Sequence, residues 1–191
     1  MRPRLETKRL VLRLAEPLEA HLVVDYLDRN RAHLARWEPD PPPGFYTEAY
    51  WRERIHQLRR EEDEGRLVRV HMFERGARDA RVVGTIGLSN IVRGAFHNAH
   101  LGFGLDGALE GHGYMREALE AMIEYAFGPL ELHRLEANHQ PHNLRSAGLL
   151  RRLGFVPTGY ARDYLHIDGT WRDHVQTALI NDRWRKSSRS S

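Results

Sequence analysis

What limits the possible folds of this chain more than anything else is the passage from Asn98 to Phe127, where an alternating run leads through a glycine-spaced turn into an amphipathic helix. The residues Asn98 to Leu105, NAHLGFGL, read as a strand. Gly113 to Phe127 sets Met115, Leu119, Met122, Ile123 and Phe127 on one face and reads as a helix, which Gly128-Pro129 ends. Between them lies Glu110-Gly111-His112-Gly113-Tyr114-Met115-Arg116. The first amides of a helix lack an intrahelical acceptor, and the macrodipole adds partial positive charge, so a strand turning tightly into a helix is a cradle for an anion. Glycines at 111 and 113 leave room for phosphate oxygens at the backbone, and Arg116 can add a charge-assisted contact.

A literal G-x-G-x-x-G also occurs, at Gly102, Gly104 and Gly107. It is not a dinucleotide fingerprint, because that motif needs a helix to begin within its glycines, whereas Gly102 and Gly104 sit inside the strand.

The rest of the chain supplies a mixed order of elements. Lys8 to Leu14 alternates as a strand, and Pro17 opens a helical pattern through Leu22, Val23, Tyr26 and Leu27. His33, Leu34 and Trp37 suggest a second short helix, stopped by the prolines between Pro39 and Gly44. A helix is expected from about Thr47, as N-cap, to Glu64. Leu67 to Glu74 and Arg81 to Val92 join Asn98 to Leu105 in an antiparallel meander, with turns at RGARDA and RGAFH. A strand at Arg134 to Asn138 and a helix at Asn143 to Leu153 follow, then a hairpin around Asp168-Gly169 of the type I′ kind. The expected class is α+β, one domain over residues 1–185 with a disordered tail at 186–191.

Composition removes several chemistries. With no cysteine there is no disulfide, no thiolate nucleophile and no cysteine-ligated zinc. His139 and His142 flank Pro141 without an evident third ligand, so no metal is expected. No stretch approaches the roughly 18 apolar residues of a membrane span, and charge interrupts the first twenty residues, so a cytoplasmic chain is expected. The net charge of +3 comes from 27 arginines and only two lysines, interspersed with acids as on an ion-paired surface.

The segment GFGLDGALEGHGYMREAL resembles the acetyl-CoA-binding motif of the GNAT N-acetyltransferases, Gln/Arg-x-x-Gly-x-Gly/Ala after a strand. Glu110 stands where the family has Gln or Arg, and Met115 where it often has Gly or Ala. Ala137 to Phe155, ANHQPHNLRSAGLLRRLGF, resembles the family's next strand and helix, with Asn143, Ser146 and Gly154-Phe155 in register. Within the family, WEP (Trp37 to Pro39), SNIVRGAFH (Ser89 to His97), PHNLRS (Pro141 to Ser146) and YLHIDGTWRDH (Tyr164 to His174) resemble the RimJ/RimL-like branch, whose RimJ type acetylates the N-terminal alanine of a small-subunit ribosomal protein.

The resemblance implies the GNAT fold, a largely antiparallel twisted sheet flanked by helices, in which the strands Asn98 to Leu105 and Arg134 to Asn138 diverge as a V around acetyl-CoA. Phe103, Gly104 and Leu105 would line the pantetheine arm, and Glu110, Gly111, His112, Gly113, Tyr114, Met115, Arg116, Asn143 and Ser146 would hold the rest of the cofactor. A preorganised amide on the thioester oxygen is worth about 3 kcal/mol. The amine would attack directly in a ternary complex, since there is neither a cysteine nor a Gly-x-Ser-x-Gly elbow. Many relatives reprotonate the thiolate with a tyrosine where this chain has Leu150, so Ser146, one turn earlier, is the substitute. Glu136 is the candidate base, with His100 and His97 as alternatives.

Trp37, Asn90, Arg93, His97 and Tyr164 are expected to line the acceptor groove. The expected partners are acetyl-CoA and a protein N-terminus, alanine or serine of a ribosomal protein, in a monomer or homodimer that could associate with the ribosome. Two other readings stay open: acetylation of a small amine such as an antibiotic or polyamine, and an acyl-CoA-binding, ribosome-associated or RNA-binding protein without turnover. No aromatic RNP-type strand supports the last.

Overall fold

The structure, a computed structural model, describes residues 3–76 and 81–187. The last four residues of the RGARDA turn and the tail 188–191 lie outside the described residues. Eight strands form one sheet in the order β1-β2-β3-β4-β5-β6-β8-β7. They are β1 (Arg4–Glu6), β2 (Leu10–Arg13), β3 (Val68–Glu74), β4 (Val82–Val92), β5 (Asn98–Leu105), β6 (Arg134–His139), β7 (Val156–Ile167) and β8 (Thr170–Ile180). Every neighbouring pair is antiparallel except β5 and β6. The helices are α1 (Ala20–Leu34), α2 (Glu48–Asp63), α3 (Tyr114–Phe127), α4 (Leu144–Arg152) and α5 (Asp182–Ser187).

Strand alternation gives the sheet two apolar faces, and each is covered by a pair of helices. On one face Leu10, Leu12, Val70, Met72, Ile86, Leu101 and Leu135 pack against Met115, Leu119 and Met122 of α3 and Leu150 of α4. On the other, Phe73 and Val82 meet Val23, Tyr26 and Leu27 of α1 and Trp51, Ile55 and Leu58 of α2. The start of α2 is fixed by Thr47, whose hydroxyl accepts the Tyr50 N–H at 3.3 Å. Both central residues of the β7–β8 turn, Asp168 and Gly169, have positive φ (52° and 68°), as a type I′ turn requires.

One expectation needs correction, and two short elements were not anticipated. The short helix around His33 to Trp37 does not exist. Its apolar spacing continues the face of α1, which runs to Leu34 and closes there as the N–H groups of Trp37 and Glu38 both donate to Leu34 O, at 2.8 and 3.0 Å. A three-residue edge strand, β1, precedes the expected first strand and is too short for alternation to mark. The chain also turns helical again at Asp182–Ser187, over residues read as the domain's end and its tail. Among the described residues no helix is long and apolar enough to cross a membrane.

The chain's first strands brace the helix that carries the glycine turn. Glu117, in the first turn of α3, accepts hydrogen bonds from the Thr7 hydroxyl (2.6 Å), the Arg9 N–H (2.7 Å) and Arg9 Nε (2.7 Å). Burial alone would raise the Glu117 carboxyl, but these donors outweigh it and hold the group below the ordinary carboxylate range. Because the folded-state value is depressed, the stabilisation is present above the ordinary range and is lost as pH falls through the folded value. Glu117→Gln should cost about 2 kcal/mol at pH 7 by weakening three charge-assisted bonds, lowering Tm by roughly 4–8 °C. Thermal unfolding followed by circular dichroism should show this difference shrinking as pH falls below about 4; a gap unchanged at acid pH would mean that the charge contributes nothing.

Candidate active site

The site begins where two parallel strands stop pairing. β5 and β6 are in register only at Asn98↔Arg134, Ala99↔Leu135 and His100↔Glu136. Beyond His100, β5 stays paired with β4, while β6 stays paired with β8. The sheet therefore splits in its middle. Asp106 donates its N–H to Val83 O in β4 (2.8 Å), whereas His97 O, on the opposite edge, accepts from the N–H groups of His133 and Arg134 (2.8 and 3.1 Å). Odd-numbered residues of β5 thus turn their backbone groups toward β6. Past the split, Phe103 and Leu105 present these groups to an open cleft with no strand opposite. An extended amide-bearing chain can pair there as a strand would.

The exit of β5 is pinned before it reaches α3. Asn30 of α1 accepts the Gly107 N–H at 2.9 Å, and Asp106 caps the following turn through the Ala108 N–H at 3.1 Å. Gly111 and Gly113 both have φ of +80°, a conformation that penalises any side chain. A Cβ on Gly111 would meet nothing within 4 Å, and one on Gly113 only Arg9 Nη2 at 3.5 Å. Gly113 is the N-cap of α3, and no side chain caps it. The opening amides of α3, at Tyr114, Met115 and Arg116, therefore face an accessible hollow. The Met115 side chain is buried in the core, which leaves only its backbone for the cradle.

Positive charge reaches the cradle from residues that the motif does not contain. Arg9 donates to His112 O (2.9 Å), and its guanidinium lies 4.0 Å above the Tyr114 ring. Glu110, out of keeping with a phosphate site, is paired with Arg145 at the start of α4 and lies 3.5 Å from His33. Arg145 is thereby drawn to the rim of the cradle. Arg116 pairs with Glu120 one turn along (2.8 Å). The bare turn, the uncapped helix and these guanidinium groups fit a diphosphate.

Across the cleft, Asn143 caps α4 by accepting the Ser146 N–H at 3.1 Å. The capping role belongs to Asn143, and the Ser146 hydroxyl has no partner among the described residues. Leu150, at the position of the family's tyrosine, is buried in the core. Glu136 lies on the opposite face of the sheet from α3 and α4. There it accepts from Arg134 Nε (2.7 Å) and lies 3.2 Å from His100 Nε2. The Glu136 carboxylate thus already faces two basic groups.

The residues nominated for the acceptor groove fall at two ends of the sheet. Trp37, with its ring 5.4 Å from His142, lines a cleft of about 260 Å³ together with Arg36, Gln140, His142, Asp168 and Arg172. Tyr164 accepts from Asn138 Nδ2 (3.0 Å) near the same end of β6. Asn90, Arg93 and His97 gather instead at the closed end. Asn90 takes a φ of 50° beside the irregularity in the β4–β5 register. Arg93 bonds to Leu130 O, and the His97 ring faces Glu131 O (3.2 Å) and Trp184 (4.6 Å). His97 is seven residues from Gly104, about 23 Å along a strand. Arg93 and His97 brace the closed end of the cleft.

Sequence reading missed Glu38. Its Oε1 lies 3.0 Å from where a Cβ on Gly104 would stand, and the Tyr26 hydroxyl 3.2 Å from the same point. The hydroxyl is buried without a hydrogen bond to any described residue. Glu38 lies within the WEP motif, but there only Trp37 was singled out, because a carboxylate between a tryptophan and a proline run reads as a loop residue.

Residues 9–156 match the family model described as an acetyltransferase (GNAT) domain. The [ribosomal protein uS5]-alanine N-acetyltransferase of Escherichia coli (strain K12) is 40% identical over 181 residues, 95% of this chain and 92% of that protein. The crystal structure of the ribosomal-protein-S5-alanine acetyltransferase from Vibrio fischeri superposes with a TM-score of 0.90 at 36% identity, covering 95% of this chain and 98% of that one. Mycobacterium smegmatis RimJ, in a complex with CoA-disulfide, superposes at 0.84 and 27% identity, covering 91% and 83%. The split sheet, the uncapped helix and these matches lead to one conclusion: the chain belongs to the GNAT acetyltransferase family.

Proposed function

We propose that this protein transfers the acetyl group of acetyl-CoA to the N-terminal amino group of a ribosomal protein, alanine of uS5 in the first instance. What supports the reading most is the uS5-alanine acetyltransferase of E. coli, which matches the chain over nearly its whole length. An acceptor of that class places the reaction in the cytoplasm. Acetyl-CoA supplies the activated acetyl thioester.

The chain's own residues do the rest. The opening amides of α3, with Gly111 and Gly113 keeping the approach clear, hold the diphosphate, and Arg9 and Arg145 offset its charge. The free edge at Phe103 and Leu105 binds the extended arm. A backbone amide on that edge would stabilise charge developing on the carbonyl oxygen, and such a donor contributes about 3 kcal/mol. The unpaired Ser146 hydroxyl reprotonates the departing thiolate. Glu136 attracts the substrate ammonium to the opposite face, and Trp37 and Tyr164 flank the peptide beyond it.

The direct test is release of coenzyme A thiol in the presence of peptides that begin with Ala, Ser or Met, or whose N-terminus is already blocked. Turnover should be fastest with the uS5 N-terminal sequence and absent with the blocked peptide; equal rates with a free polyamine would overturn the peptide assignment. Gly113→Val should raise the acetyl-CoA Kd about tenfold in calorimetry, the strain of a β-branched residue at positive φ being about 1–2 kcal/mol. Ser146→Ala should lower kcat by about 10²-fold and leave the acetyl-CoA Kd within twofold. A wild-type rate in that variant would remove Ser146 from the proton path.

A further inference from the structure

The floor of the acceptor face is bare. Gly87 of β4 stands opposite Gly102 of β5, and Gly104 follows two residues on, on the same face. Above Gly102 a Cβ would meet nothing within 4 Å, so this is an open hollow beside the free edge at Phe103. Above Gly104 the hollow ends in a wall. That wall is made by Glu38 Oε1 and the Tyr26 hydroxyl, which come as close as 3.0 and 3.2 Å to the position of the missing Cβ. Arg69 of β3 closes another side: its Nη1 lies 3.2 Å from where a Cβ on Gly87 would be, and its Nη2 donates to Thr85 Oγ1 (3.3 Å). His100, paired with Glu136, stands on the side toward the split.

Building on the acetyl-transfer reading above, we propose that Glu38 is the general base of the reaction, taking a proton from the substrate ammonium held over Gly102. Other titratable groups in the sheet's face are committed. His71 accepts the Ala15 N–H at Nδ1 (3.1 Å), and burial, followed by the charges of Arg69 and Arg13, pushes it down to about 3, so it stays neutral and engaged. Glu136 faces Arg134 and His100. The Glu38 carboxylate has no hydrogen-bond partner among the described residues. The charged and titratable groups around it are Tyr26 and His33 of α1 and Arg69 of β3. Burial raises the Glu38 carboxyl above its ordinary range, and the attraction of Arg69 and His33 offsets that only in part. A carboxylate raised in this way is a stronger base than an exposed one.

The protons balance. Glu38 takes one proton from the ammonium and later returns it to solvent. The freed lone pair forms the N–C bond to the acetyl carbon as the C–S bond breaks. The second proton leaving nitrogen passes to the thiolate through Ser146. The Tyr26 hydroxyl, buried without a partner among the described residues, lines the same wall as the carboxylate.

The test compares wild type, Glu38→Gln and Glu38→Asp, using thiol release with the uS5 N-terminal peptide, calorimetry with acetyl-CoA and thermal unfolding. Wild-type kcat/KM should fall as pH drops through the raised carboxyl value, because only the deprotonated form accepts a proton. Glu38→Gln should lose about 10²-fold in kcat, bind acetyl-CoA within twofold of wild type and no longer show that acid limb. Glu38→Asp should keep the limb at a reduced rate. Stability offers a readout independent of turnover. A group raised in the folded state destabilises it as pH rises, so Glu38→Gln should unfold at the same or a higher temperature than wild type at pH 8, with the difference disappearing near pH 4. A structural carboxylate would give the opposite sign. A wild-type rate or an unaltered pH profile in Glu38→Gln overturns the assignment of the base, whereas absence of thiol release by the wild-type protein overturns acetyl transfer itself. Should Glu38→Gln fail to fold, the wild-type profile and Glu38→Asp decide; no acid limb in either would end the proposal.

Discussion

Everything functional in this protein depends on a pairing that ends early. Three residues of β5 and β6 lie side by side, and then each strand keeps only its outer neighbour. The unspent backbone groups of Phe103 and Leu105 are the consequence, and burying them without a partner would cost several kcal/mol. The fold tolerates them because the cleft is open to solvent and, in the family's chemistry, to an extended thioester. The closed end has to be secured for the open end to stay apart. His97 O serves two amides at the start of β6, Arg93 reaches Leu130 O, and the Trp184 ring lies against His97 and His133.

The two faces of the split sheet divide the work. α3 and α4 sit on one side and bring the uncapped amides and Ser146 to the cofactor's path. α1 and α2 cover the other, where glycines leave the strands bare and polar groups line the wall. Substrate and cofactor can therefore approach the same edge from opposite sides. That arrangement favours direct attack over a covalent enzyme intermediate, in keeping with a chain that has no cysteine.

Much of this was legible in sequence wherever local rules govern. The segment from Asn98 to Phe127 combines period-2 alternation, two glycines at positive φ and a period-3.6 face, and its strand and helix fall within a residue of the expected bounds. The strand β6 was expected, its divergence from β5 was implied by the family resemblance, and the hairpin turn at Asp168-Gly169 was expected as well. Long-range placement was not legible. Arg93 and His97 share a motif with Asn90, yet all three lie at the closed end, because a motif records sequence proximity while the strand carries its residues away from the cleft. Glu38 escaped notice for the converse reason. Only the packing of the end of α1 over a glycine in β5, 66 residues downstream, converts a loop carboxylate into a half-buried one walled against the sheet.

The brace at Glu117 carries a consequence for how this protein comes to be competent. Its partners Thr7 and Arg9 are 110 and 108 residues away in the chain, so α3 acquires its anchor only by closing a very large loop. The helix can form early from its own periodicity, but its mouth is held in position only when the amino-terminal strands dock. During synthesis, anion-gripping geometry is therefore a late acquisition, reached after most of the sheet has been laid down, and a nascent chain missing its final third would hold the glycine turn without the cleft that gives it purpose.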